Sequence, residues 1–278
     1  MSTTTRTPGR LRVALVQLAY GDEETLEERT ARVAATVRGL RGHDLVLLPE
    51  LWSAGGFDYR AWPERAQALD GPVLTAMAQA ARDAGVVLHA GSVVERSPAP
   101  GPEGRHLWNT SVVLGPDGER VAVYRKVHRF GFGEGEPQLM EAGEEVVVTD
   151  LPAPADALRA GLSTCYDLRF PELYRRQLDS GAELLLVPAA WPAARVEHWR
   201  LLLRARAVED QVFVLGCNTA GTHAGHEMGG RSAVVDPTGA VLAEAGTAEE
   251  VLSVELDTGA VAAARERFPV LRDRRLGR

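Results

Sequence analysis

The chain has 278 residues, 45% hydrophobic, 25% charged and 6% aromatic, which is a globular balance and excludes a disordered or fibrous protein. Its 31 basic and 38 acidic residues leave a net charge of −7. Outside Arg272-Asp273-Arg274-Arg275 there is no basic block of the kind that grips a phosphate backbone, so nucleic acid is excluded as a partner. Its two cysteines, Cys165 and Cys217, form neither a disulfide framework nor a metal pattern, and no apolar run approaches the ~20 residues of a membrane span, so the expected setting is a reducing cytoplasm. Residues 1–10 read as a polar tail without the apolar stretch of a leader.

Leu11 to Leu18 is a short apolar run that predicts a strand, and Leu26, Val33, Ala34, Val37 and Leu40 recur after it at helical spacing. Asp44 to Leu48 then reads as a second buried strand, which opens a βαβ unit with parallel pairing. A helix follows Gly71-Pro72, is stopped by Gly85, and gives way to a strand at Val86–His89. Asn109–Leu114 and Arg120–Tyr124 flank the turn residues Gly115-Pro116-Asp117-Gly118 and predict a hairpin. After the Gly/Glu-rich stretch 131–145, strands are expected at Val146–Val148 and Arg159–Thr164, and a proline-opened helix at Pro171–Leu178. Leu184–Val187, Val196–Asp210 and Val212–Cys217 read as strand, helix and strand. Ser232–Asp236 begins a last hairpin that Val251–Leu256 is expected to complete. The sum is one α/β domain of mixed sheets covered by helices, with a C-terminal extension at 257–278.

Three residues stand where such a domain builds sites. Glu50 follows a strand through Pro49, at the carboxyl end where open α/β sheets place ligands, though taken alone it reads more readily as a loop carboxylate. Cys165 lies between a strand and a helix, the setting of a nucleophile elbow, whereas Cys217 lies within an apolar strand and reads as a packed, inert thiol. Lys126 ends the second hairpin strand. There it is either solvated or, if it shares a cleft with Cys165, able to stabilise an oxyanion. GFGEG at 131–135 lacks both the GxGxxG and the P-loop spacing, and His223 with His226 lacks the further ligands of a metal site and reads as part of a solvated loop.

Together, Leu47-Leu48-Pro49-Glu50, Tyr124-Arg125-Lys126-Val127-His128 and Cys165-Tyr166-Asp167-Leu168-Arg169-Phe170-Pro171-Glu172-Leu173 resemble the three signatures of the carbon-nitrogen hydrolase (nitrilase) superfamily. The likeness extends to Val187-Pro188-Ala189-Ala190-Trp191, His198-Trp199 and Val234-Val235-Asp236-Pro237-Thr238-Gly239, so it spans about residues 11–256. The resemblance implies a four-layer αββα sandwich, two mixed β-sheets covered by helices, paired into a homodimer through one helical layer. Pro171–Leu178 and Val196–Asp210 would supply that layer, with the C-terminal extension packing in the dimer.

The resemblance also implies a Glu50-Lys126-Cys165 triad that cleaves an amide through a thioester, without metal or other cofactor. The backbone N–H of Tyr166 and Lys126 would hold the oxyanion. A second glutamate is expected in the loop after the lysine; counting back from Gly143 gives Glu136, and Glu134 is the rival. Cys165-Tyr166-Asp167 differs from the Cys-Trp-Glu of true nitrilases and is most similar to the Nit and omega-amidase group, whose substrates are small amides carrying a carboxylate. Arg169 is then the expected carboxylate ligand, unless it pairs with Asp167 or Glu172, and Trp191 a pocket wall, unless it only packs. Arg129–Gly133 and Trp191-Pro192 depart from that group in loops that shape the pocket. An N-carbamoyl amino acid hydrolase with the same triad and a catalytically silent dimeric binding module are the alternatives.

Overall fold

A computed structural model describes residues 9–153, 155–156 and 158–276. The first half runs β1 (Arg10–Gln17), α1 (Leu26–Arg38), β2 (Leu45–Leu47), α2 (Trp62–Arg65), α3 (Pro72–Ala84), β3 (Val87–Arg96), β4 (Leu107–Leu114) and β5 (Arg120–Arg125). Next come α4 (Glu136–Leu139), β6 (Val148–Asp150), β7 (Arg159–Leu162), α5 (Pro171–Asp179), β8 (Leu184–Pro188), α6 (Val196–Asp210) and β9 (Phe213–Cys217). The chain ends with the two-residue strands β10 (Thr222–His223) and β11 (His226–Glu227), then β12 (Ala233–Val235), β13 (Val241–Glu244), β14 (Glu250–Asp257) and α7 (Ala260–Arg267).

Two six-stranded sheets result, ordered β14-β1-β2-β3-β4-β5 and β6-β7-β8-β9-β12-β13. Each follows one sequence of pairings: antiparallel, parallel, parallel, antiparallel, antiparallel. The parallel strands β1–β3 and β7–β9 therefore occupy equivalent places, and their carboxyl ends carry the loops of interest.

Period-two alternation explains the layers. In β1, Leu11, Val13 and Leu15 enter the core shared with the second sheet, while Ala14 and Val16 join the cluster under α1 and α3. Leu45 and Leu47 of β2 divide from Val46 and Leu48 in the same way. Helices α5 and α6 cover the outer face of the second sheet, where Trp199 and Leu203 of α6 are buried. The αββα order is as the resemblance implied.

Two expectations about the ends of the fold need correction. Val251–Leu256 does not complete the last hairpin: β12 pairs with β13, and β14 crosses to the other sheet to pair with β1 from Arg10↔Asp257 to Gln17↔Glu250. Residues 1–8 of the expected tail lie outside the described residues, and Arg10 belongs to β1. The C-terminal extension also makes contacts within its own chain: Gln211 donates to the Phe268 carbonyl at 2.8 Å, and Arg274 pairs with Asp179 at 2.6 Å. Among the described residues no helix is long and apolar enough to cross a membrane.

Candidate active site

Cys165 follows β7 and opens a tight 3-10 turn, Cys165–Arg169, that leads into α5. Its φ of 49° is left-handed, a conformation that costs a non-glycine residue about 1–3 kcal/mol and persists only where neighbours enforce it. Asp167 is the enforcing residue. It is fully buried, and its carboxylate accepts from the Thr164 N–H (2.9 Å), the Tyr124 hydroxyl (2.7 Å), the His128 N–H (2.9 Å) and the His128 ring (2.8 Å). Tyr124 and His128 bracket Lys126, so one carboxylate ties the cysteine turn of the second sheet to the lysine segment of the first.

Glu50 leaves the end of β2 through a backbone bend that presses on β3. A Cβ at Gly91, whose φ is +68°, would stand 1.9 Å from the Pro49 carbonyl oxygen, so only glycine permits the approach. The Glu50 carboxylate accepts from Lys126 Nζ at 2.7 Å and Asn109 Nδ2 at 2.8 Å through one oxygen, and from the Ala190 N–H at 2.9 Å through the other. Lys126 also donates to Glu136 at 2.9 Å, and Asn109 Nδ2 donates to that same Glu136 oxygen at 2.6 Å. The structure thus brings Glu136 into the cluster. Glu134 is exposed and stands outside it.

Burial governs the charges of this cluster. Burial alone would push the Lys126 ammonium down, but Glu136 and Glu50 outweigh it and hold its pKa well above the usual lysine range. Burial raises Glu136; Lys126 offsets part of that rise, and the Glu50 charge adds to it. Burial also pushes the Cys165 thiol well up, the Glu50 carboxylate adds to the rise, and Lys126 opposes it. The resting sulfur is a protonated thiol beside a carboxylate. This is the arrangement in which a base must take the proton as the sulfur attacks.

Two hollows meet at Cys165 and share Phe57, Phe130 and Ala190 in their walls. One is lined by Glu50, Lys126 and Glu136, the other by Tyr166, Arg169, Trp191 and Arg195. A larger open groove lies beside Trp108, Arg125 and Glu145 and holds none of these groups. Arg169 stacks over the Trp191 ring at 4.7 Å and meets the His198 ring at 3.3 Å, so neither Asp167 nor Glu172 is its partner. Trp191 both packs and lines: its ring lies 5.6 Å from Trp199, and its indole N–H donates to the Arg195 carbonyl at 2.8 Å.

Cys217 sits apart, its thiol directed at the carbonyls of Val16 (3.4 Å) and Leu47 (3.3 Å), and burial raises its pKa. The solvated reading of His223 is incorrect. That ring is buried against Tyr20 at 4.6 Å, and burial lowers its pKa to about 4. Sequence reasoning also missed Asn109, Arg195 and the Ala190 N–H. Asn109 had a signal: Asn109-Thr110-Ser111 is a polar run inside an otherwise apolar strand, and all three residues are buried.

The sequence profile of carbon-nitrogen hydrolases matches residues 12–266. The chain belongs to the carbon-nitrogen hydrolase family. It is 45% identical over 267 residues to a 2-oxoglutaramate amidase of Paenarthrobacter nicotinovorans, an alignment covering 96% of this chain and 90% of that protein. Human omega-amidase NIT2 is 32% identical over 274 residues, with 95% of each chain covered. Among solved structures, the family protein XC1258 of Xanthomonas campestris, which carries an arsenic adduct in its active site, superposes with a TM-score of 0.85 at 32% identity, covering 96% of this chain and 98% of that one. Saccharomyces cerevisiae Nit3, a nitrilase-superfamily member, superposes with a TM-score of 0.82 at 29% identity, covering 96% and 97%.

Proposed function

We propose that this protein is an amidase that hydrolyses a small carboxylate-bearing amide through a Cys165 thioester and releases ammonia. The observation that carries the reading is the division of the site at Cys165: a buried carboxylate–ammonium–carboxylate cluster on one side and an arginine-bearing hollow on the other. The names of the amidase relatives support the same substrate class.

In this reaction Glu50 takes the thiol proton as the sulfur bonds to the amide carbon. The carbonyl π pair moves onto oxygen, where the Lys126 ammonium and the Tyr166 N–H stabilise it. Tyr166 directly follows the nucleophile, and the first N–H groups of a 3-10 turn have no acceptor within it. The C–N bond then breaks as Glu50 returns its proton to nitrogen, and ammonia leaves. Water, deprotonated by Glu50, attacks the thioester; the C–S bond breaks, the sulfur recovers a proton and the acid departs. Glu136 and Asn109 hold Lys126 and Glu50 in register. Arg169 receives the substrate carboxylate, and Trp191 walls the acyl chain.

The proposed protein works as a cytoplasmic homodimer. Leu201 and Val208 lie on one exposed stripe of α6, and Val208 borders the β12–β13 turn at Gly239, so the patch continues to exposed Val241 and Leu242. Ammonia release from succinamate, butyramide and an N-carbamoyl amino acid tests the activity. Preference for succinamate is the expected result, whereas carbon dioxide released with ammonia from the carbamoyl compound would establish the carbamoylase reading instead.

A further inference from the structure

The hollow beyond Cys165 carries two guanidinium groups, and the proposed function uses only one of them. Arg195 ends a short 3-10 turn, Ala193–Arg195, immediately before α6. Its backbone is pinned on both sides: its N–H donates to the Pro192 carbonyl at 3.1 Å, and its own carbonyl accepts the Trp191 indole N–H. The guanidinium extends to 5.5 Å from the Phe130 ring, in the wall of the same hollow. The acid nearest in sequence, Glu197, is directed to Arg200 at 3.2 Å. Helix α6 thus positions both cations, since its first turn also supplies the His198 that meets Arg169.

Among the described residues no aspartate or glutamate lines this hollow, and Glu50 and Glu136 lie on the other side of the nucleophile and are bonded to Lys126. Two half-buried guanidinium groups in one small hollow repel one another until an anion joins them. A carboxylate supplies two acceptor oxygens for that purpose. An ammonium beside the carboxylate would restore the repulsion and meet no carboxylate of the lining residues.

We propose that Arg195 is a second carboxylate-binding residue that, with Arg169, sets the specificity of this site: it selects amides that are net anions and rejects those carrying an ammonium next to the carboxylate. The assignment rests on the amidase reading and adds to it a selection between acids of the same length. Three probes isolate the effect. Succinamate is the anion, asparagine is succinamate with an added ammonium, and butyramide replaces the carboxylate by a methyl group.

The experiment measures kcat and KM for all three with the intact protein, Arg195→Ala and Arg195→Lys. For Arg195→Ala the expected result is a KM for succinamate raised about 10- to 100-fold at similar kcat, a much smaller effect on butyramide, and a smaller preference for succinamate over asparagine. Arg195→Lys should restore part of the succinamate affinity, as a point charge without the paired donors. Equal losses on succinamate and butyramide, or no loss on either, would overturn the assignment.

Failure of the amidase reading itself would show separately, as an intact protein that does not prefer succinamate to butyramide. Binding then decides the role of Arg195. Succinamate should raise the melting temperature of Cys165→Ala, and adding Arg195→Ala should abolish that rise; an undiminished rise, or none in either protein, would contradict the proposal.

Discussion

Replacing Lys126 by methionine keeps most of the side-chain stem and removes the charge between Glu50 and Glu136. Lys126 and both carboxylates are nearly inaccessible to water, and the ammonium bonds an oxygen of each at 2.7 and 2.9 Å. Without it, two buried carboxylates face each other with only Asn109 and backbone donors, and breaking such a pair typically costs about 3–5 kcal/mol. The cost must depend on pH. Burial already raises Glu136 in the intact protein, and loss of the ammonium removes the group that offsets this rise. A carboxyl whose folded pKa lies above its unfolded value contributes stability that is complete below the unfolded pKa and is lost as pH rises through the folded one. The unfolded glutamate titrates near pH 4.3, so each carboxyl that keeps its proton above that point removes about 1.4 kcal/mol per pH unit. Between pH 5.5 and 7.5 the Lys126→Met variant should therefore fall behind the parent by about 1.4 kcal/mol per pH unit for each proton that it retains and the parent has lost. Urea unfolding across this interval measures the difference. Parallel stability profiles would contradict this, because the variant would then hold no proton that the parent lacks.

Asn109→Asp replaces the amide that donates to both Glu50 and Glu136 by a third carboxylate, and should lower kcat for succinamate by about 100-fold or more, whereas Asn109→Gln, which keeps a donor, should lose less. Leu201→Asp combined with Val208→Asp should yield monomers by light scattering at micromolar concentration, while either change on a protein that is already monomeric would leave its mass unaltered.

The legible parts of this protein were those set by local chemistry. Helix α6 runs from Val196 to Asp210 as its spacing predicts, and the turn residues 115–118 lie between β4 and β5 as expected. Strand partnership was not local. Val251–Leu256 has the alternation of a hairpin strand, but the pattern states only which faces are apolar, and the partner proved to be β1, more than 230 residues away. The grouping of Glu50, Lys126 and Cys165 was readable because each follows a strand within a recognisable signature. Asn109 was not, because it serves the site from the interior of β4, where a polar residue signals burial without naming its partner. Arg195 was missed for a related reason: a surface-rich helix start conceals a guanidinium that the turn after Pro192 directs into the hollow. His223 shows the opposite error, since glycines around a histidine suggested solvent while Tyr20 and Phe57 cover its ring.

On the proposed mechanism Cys165 forms the covalent bond while Cys217, also free and buried, does not. Acid-quenching the enzyme during succinamate turnover, followed by peptide mass mapping in the parent, Cys165→Ala and Cys217→Ala proteins, tests it most directly. The expected result is an acyl thioester on the Cys165 peptide in the parent and in Cys217→Ala, with neither adduct nor ammonia release in Cys165→Ala. An adduct on Cys217, or ammonia still released by Cys165→Ala at the parent rate, would contradict it.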